Sequence, residues 1–170
     1  HKYKNKLNTV ACGRLVKVKN YKYLIDRFRT IKKKNANLWI LGEGILRKDI
    51  QDYIDKTNLN KYVHLVGHVT NPVTWFANAD LFIHASKHEG LPNVILEAIS
   101  AGVPVVSLIH PGGTGEIFEN LDIQDRWVQK IDWNDKWFDK MNSLVIEKLE
   151  LNFGLEKIMN QYHNIFRINK

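Results

Sequence analysis

The sequence predicts an α/β fold in which helices cover a parallel sheet. Two observations support this prediction. Short apolar runs alternate with amphipathic stretches of helical spacing along most of the chain, and glycines follow many of the apolar runs. Strands that alternate with helices form βαβ units, whose right-handed crossovers produce a parallel sheet.

Five apolar runs are the predicted strands of this sheet, and each leads into a turn. They cover residues 9–12, 38–41, 63–66, 81–84 and 105–108. Helices are predicted where apolar residues recur every three or four positions, with Pro72 favouring the start of the third one. They cover residues 21–33, 45–57, 73–78 and 92–101, and Glu116 is expected to open another.

The pattern changes after Glu119. Trp127 and Val128 are expected to form a last strand, and an aromatic-rich helix is predicted over residues 133–149, followed by a terminal helix over 153–168. Aromatic residues at this spacing indicate either core packing or a face on which another domain docks. The chain is therefore divided into one domain over 1–170 with a C-terminal helical part over 120–170.

The composition is that of a soluble globular domain. The chain has 170 residues, of which 44% are hydrophobic and 25% charged, and no apolar run is as long as a membrane-spanning helix. The net charge of +7 favours anionic partners, although a basic surface explains most of the lysines. The single cysteine, Cys12, fits a reducing compartment. The first residue is His1 rather than Met, which suggests a piece of a longer protein, with processing as the alternative.

Ligands of a parallel sheet bind beyond the carboxyl ends of its strands, and the first of these ends carries two cations. Gly13-Arg14-Leu15 follows the first strand, and Lys19 lies just before the first helix. An arginine fork and a mobile lysine both suit phosphate oxygens, and a helix N-terminus adds backbone donors. The position predicts a diphosphate site, with two solvated cations beside a turn as the alternative.

Two carboxylates lie close together in sequence around the helix that follows the fourth strand, one before this helix and one within it. Glu89 opens the run 89–93 before this helix, and Glu97 lies inside it. Carboxylates are strong acceptors for sugar hydroxyls, and Gly90 lets backbone donors approach a ligand closely. The alternative is one helix-start acid and one surface acid. Because the residues around Glu97 are apolar, its carboxylate is expected to need a partner.

A glycine-rich turn, Gly112-Gly113-Thr114-Gly115-Glu116, follows the fifth strand. Its backbone N–H groups could hold an anion, and a flexible turn between strand and helix is the competing explanation. Further glycine turns follow the second and third strands. Each turn alone is weak support for a site, but all of them fall at the same edge of the predicted sheet.

In this order, the motifs resemble the C-terminal domain of the retaining glycosyltransferases built from two Rossmann-like domains, the GT-B architecture. The resemblance runs from residue 10 to about residue 118, roughly two thirds of the chain. It depends on Gly13-Arg14-Leu15 with Lys19, and on the run 89–93 with Glu97. Supporting segments are 41–44, 66–69, 79–86 and 102–106. The fold that it implies is a Rossmann-like three-layer domain, one half of a GT-B enzyme.

The resemblance also implies roles for individual residues. Arg14, Lys19 and Glu89 would be the catalytic set, in which the two cations stabilise the departing nucleotide and Glu89 lies by the donor sugar. Glu97 would bind the ribose hydroxyls. The other residues implied to contact the donor are Gly13, Gly42, Gly44, His68, Val69, Gly90, Leu91, Pro92 and Asn93.

The implied reaction transfers a hexosyl group with retention to a glycan or lipid-linked acceptor of the polysaccharide, lipopolysaccharide or capsule type. No cofactor or metal is expected, and a UDP-sugar is favoured over a GDP-sugar as the co-substrate. The partners are the nucleotide sugar, the acceptor and the missing N-terminal acceptor domain, whereas nucleic acid is not expected. The fragment is expected to be inactive alone. The expected location is the cytoplasm, with peripheral contact at the inner face of the membrane left open.

Two departures from the family pattern accompany the resemblance. Residues 118–128 lack the apolar Asn-Gly-rich segment that many members carry after the acid at the position of Glu116, and the acceptor domain is absent. Three other functions stay open. A non-catalytic nucleotide-binding module would have the same binding residues without turnover. A nucleic-acid-binding domain would interleave basic and aromatic residues. A nucleotide-sugar epimerase would need a catalytic set that is not recognisable here.

The histidines do not predict a metal site. His84 and His88 flank Ser86 near the predicted ligand site, but they lack a recognisable ligand spacing. His84 is instead expected to end the fourth strand.

Overall fold

The structure is a computed structural model that describes residues 6–30, 35–133, 137 and 143–154. Its strands form a six-stranded parallel sheet in the order β3-β2-β1-β4-β5-β6. The strands are β1 (Leu7–Cys12), β2 (Ala36–Leu41), β3 (Val63–Gly67), β4 (Leu81–His84), β5 (Val105–Leu108) and β6 (Trp127–Val128). All five predicted strands and the expected last strand are confirmed, and their bounds differ by at most two residues.

Helices cover the sheet, and two short 3-10 turns lie at Lys17–Lys19 and Gln124–Arg126. The helices are α1 (Tyr21–Arg29), α2 (Arg47–Lys56), α3 (Pro72–Ala77), α4 (Asn93–Ser100), α5 (Thr114–Asn120) and α6 (Ser143–Phe153). α2 begins two residues later than predicted, because Ile45 belongs to the preceding turn and is 87% exposed. α1 ends earlier than predicted, with Thr30 as its C-cap, and residues 31–34 lie outside the described part.

β1 lies in the middle of the sheet, and this position creates the expected ligand site. It pairs with β2 on one side and with β4 on the other. The strands β2 and β3 follow one another outward on one side of β1. The connection through α3 then returns the chain to the other side of β1, where β4, β5 and β6 follow one another outward. The loops that follow β1 and β4 therefore leave the carboxyl edge side by side, at the point where strand order reverses. Ligands of doubly wound sheets bind at this switch point.

The core has two parts, one on each face of the sheet. On one face, residues such as Ala11 and Ile83 pack against α1 and α2. On the other face, Val10 and Phe82 pack against residues of α3, α4 and α5. Neighbouring residues of β1 and β4 thus serve opposite faces, as the two-residue period of a strand requires. The Rossmann-like three-layer prediction is confirmed.

The C-terminal prediction is partly wrong. Trp133 is not helical: its ring packs edge-on against Phe28 at 5.4 Å between centroids, and its Nε1–H donates to the Arg27 carbonyl at 2.6 Å. Trp137 is 2% exposed. The aromatic spacing therefore reflects packing into the core beside α1, rather than one helix or a docking face.

The helices predicted after these tryptophans are also shifted. Phe153, which was expected to open a terminal helix, is the last residue of α6 and is followed by Gly154. Residues 138–142 of the predicted aromatic helix and 155–168 of the predicted terminal helix lie outside the described part. None of the described helices is both long enough and apolar enough to cross a membrane.

Replacing Trp137 tests whether this side chain is part of the core. The change Trp137→Ala should lower the free energy of unfolding by about 3–5 kcal/mol, the usual cost of removing a large buried ring. Ile45→Ala, at an exposed position, is the matched control and should change it by no more than about 0.5 kcal/mol. Urea denaturation of both variants is the measurement. If the Trp137 variant were as stable as the parent, Trp137 would not be part of the core, and the docking face would be the better interpretation.

Candidate functional site

Backbone contacts that only glycine permits join the loops after β1 and β2. Gly13 donates its N–H to the Leu41 carbonyl at 3.0 Å. The Gly13 carbonyl accepts a hydrogen bond from the Tyr21 hydroxyl at 3.0 Å. Gly42 has a φ of +128°, and a Cβ there would lie 2.2 Å from the Gly13 oxygen. A side chain at Gly42 is therefore excluded by both conformation and space.

Leu15 continues this contact. Its N–H donates to the Glu43 carbonyl at 2.8 Å, and its carbonyl accepts from the Leu46 N–H at 3.0 Å. A Cβ on Gly44 would lie 2.6 Å from the Leu15 nitrogen. The structure thus brings Gly13, Gly42 and Gly44 together, and it shows that they fix the loops; their contact with a donor stays a prediction.

The two predicted cations lie in different environments. Lys19 ends a 3-10 turn, and its Nζ lies 2.5 Å from Glu89 Oε1 in an ion pair whose side chains are each 16% exposed. Arg14 is exposed and forms no ion pair with another residue in the described part of the chain. The structure therefore joins a residue predicted to bind phosphate to one predicted to lie by the sugar.

Glu89 also accepts a hydrogen bond from a histidine. His84 Nε2 lies 3.2 Å from Glu89 Oε1, the same oxygen that Lys19 contacts. Burial alone would raise the pKa of Glu89, but hydrogen bonds from His84, Lys19 and Ser86, together with the charge of Lys19, outweigh it and hold that pKa well below its ordinary range. The carboxylate is therefore ionised at neutral pH. Because it can only accept, the Nε2 atom of His84 carries the proton.

His84 is the last residue of β4, as predicted, and only 3% of it is exposed. Burial lowers the pKa of His84, while the hydrogen bond to Glu89 opposes this shift. The imidazole is therefore mostly neutral at neutral pH. Its Nδ1 lies 3.2 Å from Ser107 Oγ on β5.

The turn after β5 clamps the loop that carries Glu89. Gly113 donates its N–H to the Gly90 carbonyl at 2.6 Å, and Glu89 donates its N–H to the Pro111 carbonyl at 3.4 Å. Gly112 has a φ of +115°, and a Cβ there would lie 1.6 Å from the backbone carbonyl oxygen of Glu89. The prediction that this turn offers its donors to an anion is thus wrong for Gly113, whose N–H is already bonded within the clamp.

Glu97 lies on α4 and is half-buried. Burial raises the pKa of Cys12 to about 11, and the charge of Glu97 adds to this shift. The carboxylate of Glu97 therefore acts on the carboxyl end of β1, where the first loop begins. The environment is compatible with the predicted role of Glu97, which stays a prediction.

The other predicted contact residues are spread along the carboxyl edge. Leu91 and Asn93 are exposed at the start of α4, and Pro92 between them is buried. His68 is exposed and Val69 half-buried in the turn after β3, two strands away from β1. The switch point thus gathers Gly13, Lys19, Glu89 and Glu97, while the residues after β3 lie further along the edge.

Three polar side chains of the site have no role in the sequence interpretation. Tyr21 donates to the Gly13 carbonyl, and His84 contacts both Glu89 and Ser107. One signal was available for His84, because the last residue of a strand beside a switch point can face the ligand edge. Among the described residues, no group of three or more His, Cys, Asp or Glu side chains could hold a metal ion.

Residues 1–160 match the family described as glycosyl transferases group 1. The chain belongs to this family. It is 36% identical to an uncharacterized glycosyltransferase of Methanocaldococcus jannaschii over 127 residues. The aligned part covers 73% of this chain and 31% of the relative. The N-acetylgalactosamine-N,N'-diacetylbacillosaminyl-diphospho-undecaprenol 4-alpha-N-acetylgalactosaminyltransferase of Campylobacter jejuni is 36% identical over 109 residues, 64% of this chain and 30% of the relative.

The fold of this family member is shared by solved glycosyltransferase structures. HepE of Anabaena, in complex with UDP and glucose, superposes with a TM-score of 0.83 at 19% identity, over 98% of this chain and 49% of HepE. The chain therefore spans about a third of the length of the two relatives above and about half of HepE.

The glycine clamp of this group 1 member can be tested by one substitution. Gly112→Ala should destabilise the fold by more than about 1 kcal/mol, since alanine disfavours a positive φ and its Cβ would collide with the Glu89 carbonyl. Gly90→Ala is the matched control, because nothing lies within 4 Å of a Cβ there, and it should stay within about 0.5 kcal/mol. Urea denaturation measures both. Two variants of equal stability would contradict the clamp.

Proposed function

We propose that this chain is the donor-binding domain of a glycosyltransferase, in which the whole enzyme transfers a hexosyl group with retention from a nucleotide sugar. The observation that carries the proposal is the ion pair of Lys19 with Glu89 at the switch point between β1 and β4, with the exposed Arg14 in the same loop as Lys19. Two cations and one ionised carboxylate are the groups that a diphosphate linked to a sugar needs. Membership of the family supports the reaction type.

Arg14 and Lys19 would bind the diphosphate and stabilise the nucleotide as it leaves. Departure of the nucleotide places negative charge on the phosphate oxygens, and fixed cations stabilise this charge most as it develops. The exposed guanidinium of Arg14 offers two parallel hydrogen bonds, and Lys19 offers a mobile point charge. This arrangement would stabilise the leaving group without a metal ion.

The carboxylates would orient the sugar and the ribose. Lys19 and His84 both contact Glu89 Oε1, so Oε2 is the oxygen that can accept a sugar hydroxyl. Glu97 would accept from the ribose hydroxyls, and the turns at 42–44 and 67–69 would flank the base. The order of β1, β2 and β3 in the sheet supports this direction for the nucleotide.

A UDP-sugar is the proposed donor, and the acceptor is a glycan or a lipid-linked glycan. The HepE structure that shares this fold contains UDP and glucose, which supports the base. The relative from Campylobacter jejuni is named for an acceptor linked to undecaprenyl diphosphate, which supports the acceptor class. Cytoplasmic location, where nucleotide sugars and a free Cys12 are expected, is part of this proposal, with peripheral contact at the membrane left open.

Binding of UDP without a metal tests the donor site. Titration calorimetry in the presence of EDTA should show binding by the parent chain. Arg14→Ala and Glu97→Gln should each weaken it by about 1.5–3 kcal/mol, the value of a hydrogen bond to a charged group, or roughly 10- to 100-fold. Lys56→Ala and Glu119→Gln each remove a charge of the same sign at an exposed position elsewhere and should bind as the parent does. Absence of binding, or equal losses in all four variants, would refute the donor site.

Sugar transfer tests the division of the enzyme into two parts. The chain spans 31% of its relative from Methanocaldococcus jannaschii, and we infer that the remainder supplies the acceptor site. Orientation of both reactants accounts for about 7–11 kcal/mol of a barrier, so the chain alone should transfer no sugar from a radiolabelled donor. A full-length protein should be active with lipid-linked or oligosaccharide acceptors. Transfer by the 170-residue chain would refute the division, and an inactive full-length protein that binds UDP would favour a non-catalytic binding module.

A further inference from the structure

A chain of hydrogen bonds runs from the interior of the sheet to Glu89. It begins at Ser107 on β5, whose Oγ lies 3.2 Å from His84 Nδ1, and it continues from His84 Nε2 to Glu89 Oε1 over another 3.2 Å. His84 and Ser107 are both buried, and the ring of His110 lies 5.5 Å from that of His84. The imidazole is therefore held by its surroundings and cannot leave Glu89 without disturbing the core.

Lys19 is the second donor to Glu89, and the proposed function requires it to move. Its Nζ lies 2.5 Å from the same Oε1 atom. A bound diphosphate carries more negative charge than a carboxylate and attracts the flexible ammonium group away from Glu89. His84 and the neutral hydroxyl of Ser86 then remain beside Glu89, in a site that is mostly shielded from water, and of the two only His84 can become positively charged. An ionised carboxylate in such a place is costly unless a positive partner compensates it.

His84 can supply that positive charge because Ser107 accommodates both protonation states. When the imidazole is neutral, Nε2–H donates to Glu89 and the Ser107 hydroxyl donates to Nδ1. When it is cationic, Nδ1–H donates to Ser107 Oγ, and the hydroxyl turns to the Leu108 carbonyl at 3.1 Å. Neither state leaves a donor of this chain without an acceptor, so the change costs no buried hydrogen bond.

We propose that His84 is the positioning residue of Glu89, and that it takes up a proton when a bound nucleoside diphosphate attracts Lys19. This inference rests on the proposed function, because the diphosphate is the ligand that moves Lys19. The charged or titratable groups that act on His84 are Glu89, Lys19 and His110. Through the exchange of Lys19, His84 keeps Oε1 in place, so that Oε2 stays available to the sugar.

Burial lowers the pKa of the free His84, and the charges of Lys19 and His110 add to this, while Glu89 opposes it. Departure of Lys19 and arrival of the diphosphate both raise that pKa in the complex. A group whose pKa rises on binding makes binding tighter as the pH falls through the interval between the bound and free values. Each unit by which the pKa of His84 rises corresponds to at most about a tenfold gain in affinity at pH values below the pKa of the free protein.

Proton uptake is the measurement that separates this role from a merely structural one. Calorimetry with UDP in two buffers of different ionisation enthalpy gives the number of protons taken up per UDP bound. We expect the parent chain to take up a larger fraction of a proton than His84→Gln, which keeps a donor near Glu89 but cannot become cationic. The affinity of the parent for UDP should also rise more steeply as the pH falls below neutrality. Protonation of UDP itself contributes equally to both proteins and cancels in the comparison.

His88→Gln is the matched control, since it removes an exposed histidine from the same loop, and it should take up as many protons as the parent. A second measurement uses the parent alone: the imidazole resonance of His84 should titrate at a higher pH when UDP is added. This decides the question even if His84→Gln fails to fold. Equal proton uptake by the parent and His84→Gln, or an unmoved His84 titration in the presence of bound UDP, would overturn the role of His84 and leave the donor site intact. Failure of the parent to bind UDP would instead overturn the proposed function, and this inference with it.

Discussion

The site depends on close approach between backbones, which glycine makes possible at two places. Gly42 lies against the Gly13 carbonyl, and Gly112 lies against the Glu89 carbonyl, both at separations that no Cβ could share. The first contact joins the loops after β1 and β2, and the second joins those after β4 and β5. Four loops are thereby fixed in pairs at the edge of one sheet. Fixed loops keep the side chains of the site in position before any ligand arrives, and this lowers the entropy cost of binding.

The polar groups next to Glu89 and Gly13 form hydrogen bonds within the protein. Glu89 accepts from Lys19 and His84, Ser107 contacts the far side of His84, and Tyr21 donates to Gly13. A buried carboxylate without such donors would be protonated or would destabilise the fold. The same network makes a ligand compete with existing bonds, because an anion can gain Lys19 only by weakening its bond to Glu89. The stability that the pair of Lys19 with Glu89 gives to the fold and the affinity for an anion are therefore in opposition.

The sequence predicted the sheet well because buried parallel strands appear as short apolar runs, three of which are followed directly by glycine. It also placed Gly13, Lys19, Glu89 and Glu97 near one edge, where the structure has the loops after β1 and β4 and the start of α4. The pairing of Lys19 with Glu89 was beyond sequence reasoning, since 70 positions separate them and only the switch point brings them together. The C-terminal helix was misplaced, because the spacing of Trp133 and Trp137 reports burial and not the backbone conformation that achieves it.

Arg14 and Lys19, which the sequence presents as an equivalent pair, differ in the field that they offer to an approaching anion. The charge of Lys19 is largely cancelled at a distance by Glu89, which lies 2.5 Å away. Arg14 is exposed, has no ion pair among the described residues, and adds to a chain whose net charge is +7. Uncompensated charge governs long-range attraction, whereas a compensated pair acts only once the ligand is near enough to exchange partners. For a diphosphate ligand, Arg14 would therefore provide the long-range attraction that brings the ligand to the site. Lys19 would act only once the ligand is bound, when its ammonium group moves from Glu89 to the phosphate. This movement would couple binding of the nucleotide to the part of the site that holds the sugar.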